Sequence, residues 1–191
     1  MTDPVRTSGG FSLVEMVATI VILGIALVTI TSMMVGSLGR NADTFEDTRT
    51  TALARAYLDE IISRRYDENS HPSGTPACDG IGGAGGCTDD GSVSTDNFGP
   101  DSGEATRDKW DDVDDYDGLD EGLGGIDPDL HDAENLVRSG YDDYRVTVTV
   151  EYAGDQPPLS KDKTDAKLIT VTVYTPPAAI GTEFQVYKAN F

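Results

Sequence analysis

Three features of this 191-residue sequence carry enough chemistry to act: a run of carboxylates, a cysteine pair and a lone glutamate beside an apolar stretch. The segment Arg107–Glu121 (RDKWDDVDDYDGLDE) packs seven Asp and one Glu around Trp110 and Tyr116. Hard oxygen ligands at this density can hold Ca²⁺, and Asp112, Asp114, Asp115 and Asp117 are the candidate ligands. The EF-hand template fails: with Gly118 as sixth loop residue, Val113 falls at the first position and Gly124 at the twelfth. An irregular calcium loop and a solvated acidic loop pinned by Trp110 and Tyr116 are the two readings. Cys78 and Cys87 (CDGIGGAGGC) are the only cysteines. C-x8-C with no companion Cys or His nearby is a poor zinc site, so a disulfide closing a short glycine-rich loop is expected, with a redox or metal role as the alternative. Glu15 sits where an uncharged run begins, and either reaches lipid headgroups or awaits a positive partner in a membrane or an assembly. His71 and His131 lie in expected loops away from any nucleophile motif, and there is no phosphate loop or dinucleotide fingerprint. Abundant Asp always allows a carboxylate pair, but spacing identifies none. No catalysis is expected, and no cofactor is required.

The elements that must position these groups differ sharply in character. Met16–Gly39 is 24 residues without a charge, whereas residues 79–134 carry 18 acids and 2 bases. As a helix the first stretch would extend roughly 36 Å, enough to cross a hydrocarbon core about 30 Å thick. A buried core helix would show a polar face. A secretory signal would have a basic n-region and a small-residue cleavage site after the run, yet MTDPVRTSGG holds one Arg and one Asp and Gly36-Ser37-Leu38-Gly39 is a poor site. A spanning helix is therefore expected, with 40–66 as its amphipathic continuation. Thr44 reads as an N-cap, Gly36 and Gly39 as a place to loosen or kink, and Leu53, Tyr57 and Ile61 as one face for a sheet, with Ala54, Leu58 and Ile62 beside them. Arg6 and Arg40 hardly decide orientation by the positive-inside rule, but the cysteines suit an oxidising compartment. The net charge of −20 (14 bases, 34 acids) argues against nucleic acid as a partner.

Residues 67–143 read as Gly/Asp-rich loops, with 13 glycines between 71 and 125. Strands follow: Tyr144–Tyr152 and Lys167–Thr175 alternate Val and Ile with Thr and charged residues, joined as a hairpin through 153–166, and Thr182–Tyr187 is a third. The expected fold class is α+β, a long N-terminal helix on a C-terminal antiparallel sheet (144–191) with long acidic loops.

Gly9-Gly10-Phe11-Ser12-Leu13-Val14-Glu15-Met16, followed at once by the long apolar helix, resembles the class III signal of type IV pilins. The resemblance implies that a prepilin peptidase cuts between Gly10 and Phe11, removing leader 1–10, and N-methylates Phe11. Glu15 then stands at mature position five, where the family pairs this carboxylate with the α-amino group of a neighbouring subunit. Residues 11–39 become the transmembrane and assembly helix of a pilin-like fold. The stretch from Trp110 to Leu119 and the paired Val/Thr strands resemble the MshD-type minor pilins of mannose-sensitive haemagglutinin (MSHA) pili. Implied partners are other pilin subunits through the N-terminal helix, the prepilin peptidase, the pilus assembly platform and the inner membrane. The implied location is single-pass in the inner membrane, N-terminus cytoplasmic and C-terminal domain periplasmic, then the extracellular pilus. Two alternatives stand beside this: a pseudopilin of a type II secretion system, and an uncleaved membrane-anchored calcium- or ligand-binding module. The Gly-Gly ending is shared with leaders of exported peptides, which usually precede short cargo.

Overall fold

The computed structural model describes residues 12–71, 77–78, 86–88, 98–175 and 181–190, and within them not the side chains of 35–43. The chain divides into two compact units, residues 1–47 and 48–191, each described by itself. One α-helix, α1 (Leu13–Ser63), runs through the division. Its 51 residues contain no proline, so no backbone N–H is missing from the i→i−4 ladder. The expected N-cap at Thr44 is corrected: a capping oxygen is needed only where the first N–H groups lack partners, and at Thr44 the helix is already under way. The helix ends three residues before the expected Tyr66, with Arg64 N–H on the Ile61 carbonyl (3.1 Å) and Arg65 N–H on the Asp111 carbonyl (3.1 Å).

In the first unit, Leu13–Met34 is a 22-residue stretch long and apolar enough to cross a membrane, a property shared by membrane anchors and signal sequences. Its large apolar side chains are exposed. Its four hydroxyls all turn back onto their own helix: Thr19 donates to the Met16 carbonyl (2.8 Å), Thr29 to Ala26 (2.8 Å), Thr31 to Leu27 (2.8 Å) and Ser32 to Thr29 (2.9 Å). Polar groups satisfied within the helix are what a lipid environment requires.

The second unit packs the C-terminal turns of α1 on a four-stranded antiparallel sheet of order β1-β2-β3-β4. Its strands are β1 (Asp120–Gly122), β2 (Arg145–Tyr152), β3 (Ala166–Tyr174) and β4 (Thr182–Ala189). The α+β class and the three C-terminal strands stand as expected, with β4 two residues longer. Alternation places Val146, Val148 and Val150 opposite Val173, Val171 and Ile169, so all six share one face. That face meets Leu53, Ala54, Tyr57 and Ile61 of α1 in the core.

Strand β1 falls where loop was expected, since Asp-Glu-Gly shows no apolar alternation. It forms because Glu121 finds buried partners and because Gly122 takes φ +96°. A Cβ at Gly122 would run into the Tyr144 carbonyl. The segment 98–143 is also no mere covering, since Val113, Tyr116, Leu119 and Leu130 complete the core.

Candidate functional site

Gly10 and Phe11 lie outside the described residues. Glu15 occupies the first turn of α1, exposed at the start of the membrane-length stretch. The helix N-terminus is a favourable place for a carboxylate, since the free N–H groups there carry partial positive charge.

Cys78 and Cys87 stand at disulfide-bonding distance and are joined, Cα–Cα 4.9 Å. Cys78 packs against Tyr66 and Tyr152. Asn190, just past β4, secures the pair, accepting from Cys78 N–H (3.3 Å) and turning its amide toward Cys78 Sγ (3.2 Å). The bridged cysteines are thereby tied to the end of the sheet.

The acidic segment is not a solvated loop. Asp112, Asp114 and Asp115 are buried, and Asp114–Tyr116 forms a 3-10 turn. The Asp115 carboxylate accepts from the backbone N–H of Asp111 (2.8 Å) and Asp112 (3.1 Å), and Asp112 accepts from Asp114 (2.9 Å). Asp114 Oδ1 accepts from Lys167 Nζ (2.6 Å), and Asp117 Oδ1 from Val150 N–H (2.8 Å). The four calcium candidates are therefore not brought together as one ligand set. Among the described residues, the carboxylate groups whose ligand atoms lie within 4.8 Å of one another are Glu104–Asp111–Asp115 and Glu68–Asp111–Asp112, without Asp114 or Asp117. Burial, and then the charge of Asp114, pushes the Asp112 carboxyl up to about 8; burial and Asp112 push Asp115 up to about 7.

Two buried cations hold this material together. Arg107, 2% exposed, reaches Glu60 of α1 with Nε (2.8 Å) and Nη2 (3.2 Å), and both oxygens of Glu121 on β1 with Nη1 (3.0 and 2.8 Å). Its guanidinium lies 4.6 Å from the Tyr57 ring centroid, and Tyr57 OH donates to Glu121 (2.8 Å). Tyr116 OH donates to Glu60 (2.9 Å), and Arg138 adds a contact to Glu60 at 3.4 Å. A cavity of about 290 Å³ opens beside Arg107, lined among others by Trp110, Asp117, Asp127 and His131.

Lys167 on β3 is the second cation, its side chain fully buried. Nζ donates to Asp114 Oδ1, to Asp67 Oδ2 (3.2 Å) and to the Tyr66 carbonyl (2.8 Å). The rings of Tyr66, Phe98 and Tyr152 surround it, with centroids 4.6, 5.0 and 5.2 Å from Nζ. Asp67 is held in turn by Thr88 N–H (2.9 Å) and Asn69 N–H (3.0 Å).

Sequence reasoning missed Arg107 and Lys167 as organising residues, though signals existed. Lys167 lies in the period-2 series that places Ile169, Val171 and Val173 inward. Arg107 is one of two bases among 18 acids in residues 79–134, where a base is certain to be sought by carboxylates. Compared with family models, curated proteins and solved structures, the chain matches none.

Proposed function

We propose that this chain is a minor type IV pilin of the MSHA type: a subunit cleaved by prepilin peptidase between Gly10 and Phe11, methylated at Phe11 and incorporated into a pilus. The observation that carries the reading is the placement of Glu15 in the first turn of an exposed 22-residue apolar helix that begins two residues after Phe11. Such a helix cannot remain in water, because exposed apolar area costs roughly 25 cal/mol per Å². Lipid covers it before assembly, and the helices of neighbouring subunits cover it afterwards. In that apolar surrounding a lone carboxylate is costly, and the α-amino group freed at Phe11 of a neighbour neutralises it. The C-terminal unit faces the periplasm and then the exterior of the filament. The partners are other pilins, the peptidase, the assembly platform and the inner membrane.

The test is the mass and sequence of the mature N-terminus in cells with and without prepilin peptidase. A methylated Phe11 that depends on the peptidase is the expected result. Retention of residues 1–10 in both strains overturns it and favours the uncleaved membrane-anchored binding module. Co-purification of the cleaved chain with secretion-system components instead of pili would assign it to a type II pseudopilus.

A further inference from the structure

Lys167, Asp114 and Asp67 form a closed reaction set. The ammonium of Lys167 and the carboxylate of Asp114 touch at 2.6 Å, and the second carboxylate, Asp67, stands 3.2 Å from the same nitrogen. Standard carboxylate geometry then puts Asp114 Cγ roughly 3–3.5 Å from Nζ, the separation of a near-attack pair. The side chains of Lys167 and Asp67 are fully buried and that of Asp114 is 5% exposed, with three aromatic rings closing the site. Positioning of this kind is worth effective molarities on the order of 10⁵–10⁸ M, which sets it apart from a dissolved amine and acid. Water is excluded, so hydrolysis of the product is suppressed.

We propose that Lys167 and Asp114 condense to an intramolecular amide cross-link, with Asp67 carrying the proton. Asp67 takes a first proton from Lys167 Nζ and passes it to one carboxylate oxygen of Asp114, and the nitrogen lone pair then forms the C–N bond to Asp114 Cγ as the C=O π bond opens. The tetrahedral intermediate then expels one carboxylate oxygen. Two of the three ammonium hydrogens leave with that oxygen as one water, the second delivered through Asp67, and the third stays on the amide. Atoms and charge balance without a co-reactant: ammonium plus carboxylate gives amide plus water. The step removes two buried charges at once, and an ion pair withdrawn from water is costly to maintain. Asp67 retains its own charge, supported by the N–H groups of Thr88 and Asn69 and the hydroxyl of Tyr152. The product joins the 3-10 turn at 114–116 covalently to β3. This inference does not depend on the pilin reading.

The experiment is peptide mapping and intact mass of the full-length chain, purified in detergent from a host without prepilin peptidase. The expected result is a mass one water below that of the disulfide-bonded sequence, together with a branched peptide linking Lys167 to Asp114 and loss of tryptic cleavage after Lys167. Recovery of Lys167 in ordinary linear peptides at full yield overturns the proposal. So does a one-water deficit mapped to an Asp-Gly succinimide with Lys167 still cleavable. Asp67→Asn, which keeps the shape of the carboxylate but not its proton capacity, is expected to stay linear. A branched peptide at wild-type yield in that variant removes Asp67 from the chemistry and overturns the mechanism. If Asp67→Asn fails to fold, the wild-type peptide map alone decides.

Discussion

Replacing Arg107 with Met keeps most of the side-chain volume and the stacking on Tyr57 while deleting the charge that faces Glu60 and Glu121. At an effective dielectric near 20, each pair at 2.8 Å is worth a gross attraction of about 6 kcal/mol, most of it offset by the cost of desolvating the partners. What remains is the cost of leaving two carboxylates, 6% and 9% exposed, without their cation, typically 3–5 kcal/mol. Arg138, 3.4 Å from Glu60, compensates one of them in part and places the expectation toward the lower end. A unit the size of residues 48–191 loses about 0.3 kcal/mol per degree near its melting point, so Arg107→Met is expected to lower the Tm by about 10–13 °C. The assay is thermal unfolding of a soluble fragment beginning near Thr48, followed by circular dichroism. Adding Glu121→Gln to Arg107→Met is expected to recover part of the loss, because the neutral amide no longer needs the cation. A single variant melting within 3 °C of wild type, or a double variant less stable than the single, would refute the assignment of Arg107 as the counter-charge.

Glu15→Ala is expected to leave membrane insertion intact and to impair incorporation into filaments; filament yield in a pilus shear preparation checks it, and unchanged yield removes the proposed pairing with Phe11. Because the folded Asp112 and Asp115 carboxyls ionise near 8 and 7 against about 4 when unfolded, the fold binds extra protons across that window. Their contribution to stability is complete below about pH 4 and is lost as pH rises through 7–8, by up to about 1.4 kcal/mol per pH unit for each proton held; urea midpoints at pH 5.5 and 8.5 should therefore fall, and Asp112→Asn should flatten the slope. Reducing the Cys78–Cys87 bridge, or replacing both residues with Ser, is expected to cost up to about 3 kcal/mol by the chain-entropy account, read as a denaturant midpoint that responds to reductant in wild type only.

The regular part of the molecule was legible because its sequence is periodic. Val146, Val148 and Val150 alternate with polar residues, and Leu53, Tyr57 and Ile61 recur at helical spacing, so strand, helix and buried face all follow. The acidic segment was not legible, because its order comes from contacts distant in sequence. Asp114 is explained by Lys167, Glu121 by Arg107 and Tyr57, and Asp117 by the backbone of Val150. Seven Asp in 15 residues look like solvent or calcium when read locally, yet three of them lie inside: Asp114 on the distant Lys167, and Asp112 and Asp115 on backbone N–H groups of their own tight turn. Strand β1 escaped for the same reason, since Asp-Glu-Gly has no pattern of its own and borrows its regularity from β2. At Thr44 the local signal was real but outvoted: a residue that caps well also tolerates a helix interior when the preceding turns already supply partners.

From α1, the core of the second unit takes Leu53, Ala54, Tyr57 and Ile61. Every hydroxyl in the apolar stretch Leu13–Met34 is satisfied by the stretch itself. The stretch is therefore indifferent to what kind of apolar neighbour it has, hydrocarbon chains or the flanks of other helices. Exchanging one for the other asks no side-chain hydrogen bond of the stretch to break. A stretch built this way can exchange one apolar surrounding for another with its own hydrogen bonds intact, as an insulated plug is moved between sockets.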